Sequence, residues 1–103
     1  NFTSCDLILN VGICGASKKY KIGQLIDARY HVITCIDYEA KNTKHDIVDM
    51  ESLGFKQATK EVQNSFIFKI VSDHFEPQRV TKDKAKQLIF CKIDEIMSAI
   101  YQS

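Results

Sequence analysis

The 103-residue sequence has one proline, four glycines and no tryptophan. Turn punctuation is therefore sparse, and each Gly or Pro is informative. Long apolar runs are missing: Leu7 to Leu9 is typical, whereas a membrane-spanning helix needs about twenty apolar residues. The N-terminus shows no basic segment followed by a long apolar stretch, so no signal peptide is read there and a cytoplasmic setting is expected. No charge sign dominates. Fourteen Lys and Arg against thirteen Asp and Glu leave a net charge of +1. Residues 1–51 carry six basic and seven acidic side chains, and residues 52–103 carry eight and six. Neither half is a charged tail, so no nucleic-acid partner and no membrane partner is expected.

Metal spacing is missing too. Cys5, Cys14, Cys35 and Cys91 form no CxxC, and no histidine stands at zinc-finger distance from them. No metal and no cofactor is expected. All four cysteines have apolar neighbours and are read as reduced, small core residues, with a disulfide as the alternative. There are no repeats and no low-complexity stretch. What remains is 45% apolar and 26% charged, the profile of a single globular domain spanning residues 1–103. A chain of this length can bury one hydrophobic core.

Asp6 to Val11 is a short apolar run that reads as a buried strand ending at Gly12, with a turn over residues 12–16. A second strand is expected to begin at Ile22 or Gln24, and residues 26–36 are rich in Val, Ile, Tyr and Thr. From Asp46 the period changes. Met50, Leu53, Gly54, Ala58 and Val62 fall on one stripe of a helix over 49–62. Residues 66–71 form another strand, followed by a loop from Ser72 to Pro77. Thr81 or Asp83 caps a last helix reaching about Tyr101, with Ala85, Leu88, Ile89, Ile93, Ile96, Met97 and Ile100 as its inner stripe. Strands separated by helices predict an α/β layered domain with a largely parallel or mixed sheet flanked by helices.

Ligands of open α/β sheets bind beyond the carboxyl ends of strands. Three segments are expected to meet there: Gly12 to Ala16, Asp49-Met50-Glu51, and Ser72-Asp73. The Gly12-x-x-Gly15 stretch lacks the third glycine of a dinucleotide fingerprint. It is either a plain tight turn or a set of backbone N–H groups facing an anion or a sugar. Glu51, in the first turn of the predicted helix, either stabilises the helix dipole or accepts hydrogen bonds from sugar hydroxyls. Asp73 is either an Asx-turn residue or a partly buried acid that donates a proton, with Ser72 orienting it. His31, His45 and His74 share no metal spacing and read as surface or satisfied core residues. Lys82, Lys84 and Lys86 read as a solvated helix start.

Five stretches then combine. Asn10-Val11-Gly12-Ile13-Cys14-Gly15-Ala16 is followed by Lys21-Ile22-Gly23-Gln24-Leu25-Ile26 and by Ala28-Arg29-Tyr30-His31. Val48-Asp49-Met50-Glu51-Ser52 and Phe68-Lys69-Ile70-Val71-Ser72-Asp73 come next, in order. Together they resemble the purine nucleoside phosphorylase and nucleosidase superfamily, in its methylthioadenosine/S-adenosylhomocysteine nucleosidase branch. The resemblance implies a reduced nucleoside phosphorylase-like fold and cleavage of a purine nucleoside N-glycosidic bond. It implies that Met50 packs against the ribose and Glu51 binds its hydroxyls. It implies that Asp73, supported by Ser72, protonates or hydrogen-bonds N7 of the leaving base. Gly12, Ile13 and Gly15 would form the loop on the nucleophile side. The implied partners are a nucleoside such as methylthioadenosine or S-adenosylhomocysteine, phosphate in the phosphorylase case, and further copies of the chain.

Departures from the family pattern are Ile13 at a position usually small or hydroxylated, Ala16 for a glycine and Gln24 for an aspartate. The family's segment ahead of the Asn-x-Gly strand, and most of the one between Tyr-His and Met-Glu, have no counterpart in these 103 residues. The expectation is therefore a fragment or reduced form with weak or no turnover. Its alternative is a non-catalytic module that binds a nucleoside or a protein.

Overall fold

The structure is a computed structural model, and it describes residues 7–35, 46–49, 52–59, 64–76 and 80–102. Two ten-residue strands form its spine: β1 (Leu7–Ala16) and β5 (Asn64–Asp73). They run parallel from Leu7 opposite Asn64 to Gly15 opposite Asp73, with one register shift between Cys14 and Gly15. Three short strands complete a mixed five-stranded sheet in the order β2-β5-β1-β4-β3: β2 (Leu25–Asp27), β3 (Thr34–Cys35) and β4 (Ile47–Asp49). Strand β2 is antiparallel to β5, β4 is antiparallel to β1, and β3 is parallel to β4. The α/β expectation holds, and the sheet is mixed.

Alternation along the central strands divides the core into two layers. Cys14, Ala16, Ile26, Ile33, Ile47, Ile67 and Val71 pack on one face, joined by Tyr20, Ala28 and Phe55. Phe68 and Ile70 face the other way, against Ile96 and the partly buried Leu88, Ile89, Ala99 and Ile100. Those last residues belong to α2 (Lys82–Phe90) and α3 (Ile93–Tyr101). Phe55 belongs to α1 (Ser52–Ala58), the helix on the opposite face.

Several sequence expectations need correction. Gly12 and Gly15 do not turn the chain, because β1 continues to Ala16. They are the places where neighbouring side chains press on the strand: a Cβ at Gly12 would lie 3.0 Å from Lys69 Nζ. The turn comes later, where Tyr20 N–H donates to Ser17 O and Gly23 adopts φ +91°. The strand expected over 26–36 is broken. After β2 the Asp27 carboxylate accepts from Arg29 N–H at 2.9 Å, and the backbone N–H groups of Tyr30 and His31 donate to Asp27 O. This Asx-type turn overrides the β-propensity of residues 28–33. The helix expected from Asp49 starts at Ser52, since Asp49 ends β4. The long final helix is two, divided by a turn at Cys91–Lys92. Thr81 does cap α2, its hydroxyl accepting from Lys84 N–H at 3.1 Å.

Candidate functional site

Asp73 is the last residue of β5 and is 7% exposed. It is held from both sides. Ser72 Oγ donates to Asp73 Oδ1 at 2.5 Å, and Glu76 N–H donates to Oδ2 at 2.8 Å. Ser72 Oγ also lies 3.2 Å from Cys14 O, which ties the acid to the neighbouring strand. Each carboxylate oxygen offers about two lone-pair directions, so each retains acceptor capacity. The expected pairing of Ser72 with Asp73 is present, and so is the Asx-like turn.

Gly15 sits between β5 and β4, paired with Asp73 on one side and Val48 on the other. A Cβ there would meet Asp73 Oδ2 at 3.4 Å, Phe75 Cδ1 at 3.5 Å and Val48 Cγ2 at 3.5 Å. Phe75 has φ 65°, a left-handed conformation uncommon for an aromatic residue. The strained backbone brings the half-buried Phe75 ring beside Gly15 and the carboxylate. Next to it, the carbonyl of Ala16 accepts from His74 Nδ1 at 3.0 Å. The carboxyl end of the β1–β5 pair therefore presents a fixed acid, an aromatic ring and a bare glycine backbone.

Deeper in the sheet lies a polar cluster that the sequence pattern alone did not single out. Lys69 is 1% exposed. Its Nζ reaches Asp49 Oδ2 at 3.3 Å and Asn10 Oδ1 at 3.2 Å. Among the described residues no buried side-chain N or O lacks a hydrogen-bond partner. Cys14 belongs to this surrounding. Burial pushes its thiol up to about 12, opposed by the charge of Lys69 and assisted by those of Asp49 and Asp73. Such a thiol stays protonated and is no nucleophile at neutral pH. A signal for Lys69 was available: within the run Phe66 to Val71, a lysine shares its strand face with Ile67 and Val71.

The expected convergence is partial. Ser72, Asp73 and Gly15 come together. Gly12 and Ile13 lie inside β1, opposite Lys69 and Ile70, and form no loop. Met50 and Glu51 lie outside the described residues. Strand β4 runs antiparallel to β1, with Ala16 opposite Ile47 and Gly15 opposite Val48. Of the cysteines, Cys14 is core as expected, Cys35 is half-buried and Cys91 is exposed. All three are free; Cys5 lies outside the described residues. No three metal-ligating side chains converge among the described residues. No helix among them is long and apolar enough to cross a membrane.

A separate open pocket of about 310 Å³ lies at the other end of β5, against Ser65, Phe66 and Ile67. Arg29 and Lys56 stand at its wall. Arg29 is already engaged, with its guanidinium 2.7 Å from Asp27 Oδ2 and 4.9 Å from the Phe66 ring centre. Burial alone would push the Asp27 carboxyl up. The hydrogen bonds and charge of Arg29 outweigh it and hold the carboxyl below its ordinary range.

Compared with known proteins, the chain matches no family model, no curated protein and no solved structure.

Proposed function

We propose that the carboxyl end of the β1–β5 pair binds a purine nucleoside and that Asp73 acts on the base during N-glycosidic cleavage. The observation that supports this reading is the placement of Asp73: buried at a strand end, fixed by Ser72, beside a glycine and an aromatic ring. Cleavage of the glycosidic bond leaves negative charge on the departing purine and positive charge on the sugar. An acid held at N7 neutralises the base as the bond breaks, and electrostatic preorganisation of this kind is a large contributor to catalysis. Phe75 supplies a face for the base to stack on. Gly15 lets the Asp73 carboxylate and the Phe75 ring lie close against the strand, side by side. The resemblance adds Met50 and Glu51 as ribose contacts and leaves hydrolysis and phosphorolysis as equal alternatives.

The test is base release. The chain is incubated with methylthioadenosine, S-adenosylhomocysteine, adenosine and inosine, with and without phosphate, and free base is measured chromatographically. Release that needs phosphate identifies a phosphorylase, and release without it a nucleosidase. No release from the folded chain sinks the catalytic reading.

The second reading is a non-catalytic module that uses the same edge to bind a nucleoside. One observation favours it: both oxygens of Asp73 already accept a hydrogen bond from the chain itself. Saturable nucleoside binding without base release selects this reading.

A further inference from the structure

One edge of the sheet is uneven. Strand β5 begins at Asn64, but its outer neighbour among the described residues, β2, ends at Asp27. The last rung between them is Ala28 N–H donating to Ile67 O at 3.1 Å. There the chain turns off through Arg29, and the edge of β5 at Ser65 and Phe66 has no strand beside it. The pocket of about 310 Å³ lies in this notch, with Phe55, Lys56 and Thr59 as its other wall. Its volume reaches the roughly 300 Å³ at which small-molecule sites begin.

The lining carries charge of one sign. Arg29 and Lys56 stand at it, and no acidic side chain does among the described residues. Lys56 is exposed and makes no ion pair among the described residues. Arg29 is pinned. Asp27 takes its Nε and Nη2 at 3.0 and 2.7 Å, and Nη2 also lies 3.4 Å from Ala99 O. The rings of Phe66 and Tyr30 flank the guanidinium, with centres 4.9 and 5.4 Å from its carbon. None of these contacts uses Nη1, which keeps two N–H donors. Arg29 and Lys56 against Asp27 leave a net +1 around the notch. The rest of the lining is apolar or hydroxylated: Ala28, Phe55 and the buried Ile67, then Ser65 and Thr59. Thr59 Oγ1 donates to Phe55 O at 2.7 Å, so towards the notch it only accepts.

We propose that this notch binds a small organic oxyanion, a carboxylate or phosphate carried on an apolar body. Arg29 Nη1 and Lys56 take the acid group, and the body rests against Phe55 and Ile67. Hydrogen bonds between ionised partners are the stronger kind. A guanidinium already fixed by Asp27 and two rings loses little freedom on binding. The notch is open, so dissociation on the order of a millimolar is expected. It lies at the opposite end of β5 from Asp73 and does not depend on the nucleoside reading.

The test titrates the ¹⁵N-labelled 103-residue chain at low salt with four probes. Phenyl phosphate and benzoate carry an acid on a ring. Benzyl alcohol carries the ring alone, and inorganic phosphate is the acid alone. At least one of the ring acids should give saturable amide shifts centred on residues 28–29, 55–59 and 65–67, and none at 72–75. The stronger of the two tells which acid group is preferred. Benzyl alcohol and inorganic phosphate should each bind at least about fivefold more weakly. Lys56→Glu, an exposed change whose fold circular dichroism verifies, should weaken the ring acid about tenfold. Arg29→Gln should abolish binding; where that variant loses its fold with the Asp27 pair, Lys56→Glu decides. Absent shifts, shifts spread over the surface or shifts centred on 72–75 overturn the proposal. So does benzyl alcohol or inorganic phosphate binding as well as the ring acids, or a Lys56→Glu affinity within about twofold of wild type.

Discussion

Lys69 fills the space that Gly12 leaves vacant. The two residues face each other across the parallel β1–β5 pair, and a methyl group at position 12 would lie 3.0 Å from the lysine ammonium. The ammonium is held by Asp49 and Asn10, so the glycine, the lysine and two partners on neighbouring strands form one buried unit. Gly12→Ala is expected to cost about 1–3 kcal/mol, because the displaced amine belongs to an ion pair and cannot relax without loosening it. Urea denaturation measures it as a lowered midpoint with unchanged slope.

Removing Lys69 leaves the buried Asp49 carboxylate without the ammonium that faces it. Lys69→Met is expected to destabilise by about 3–5 kcal/mol. Adding Asp49→Leu removes the uncompensated charge as well and is expected to recover part of that loss. A strongly non-additive double-mutant cycle would verify the coupling. Additive losses would show that the two side chains act separately.

Cys14 and Cys91 differ in reactivity. Burial holds the Cys14 thiol up to about 12, above its ordinary 9.0, while Cys91 is exposed. Alkylation near neutral pH, read by mass spectrometry, should modify Cys91 well before Cys14. The linkage follows from the direction of the shift. A raised folded value contributes stability that is full below about 9 and is lost as pH rises towards about 12. Wild type should therefore lose more stability than Cys14→Ala over that alkaline window. Parallel pH profiles would contradict this.

Asp27 predicts the opposite pH behaviour. Its carboxyl is lowered in the folded state, so its contribution is present above the ordinary value of 3.8 and is lost as pH falls below it. Asp27→Asn should be less stable than wild type at neutral pH, by on the order of 1 kcal/mol for a partly exposed pair. The difference should shrink on acidification below about 4.

The edges of the fold were less legible than its centre. The apolar run Phe66 to Val71 announces β5, and the helical period from Ala85 to Ile100 announces the cover on one sheet face. Both signals come from burial, which leaves a strong pattern. The glycines misled because a glycine that admits a neighbouring side chain looks like one that makes a turn. Residues 26–36 misled because β-propensity says nothing of a carboxylate such as Asp27 that diverts the chain through local hydrogen bonds. Ile93 and Met97 fit the period of the inner stripe but lie on its exposed flank. At the candidate site, Ser72 and Asp73 were legible because a polar pair ends an apolar strand. Phe75 was not, since its position depends on a positive φ that local sequence does not demand.

The central claim is that Asp73 acts on the base of a bound purine nucleoside. Its most direct test sets wild type beside Asp73→Asn, which keeps the shape of the side chain and removes the acid. Methylthioadenosine binding is titrated by calorimetry, and adenine release is followed in the same samples. Wild type should bind and release adenine. The variant should retain binding within a few-fold and lose release by at least about a hundredfold, the usual scale for a general acid. Equal release from both proteins, or no nucleoside binding by the folded wild type, would contradict it.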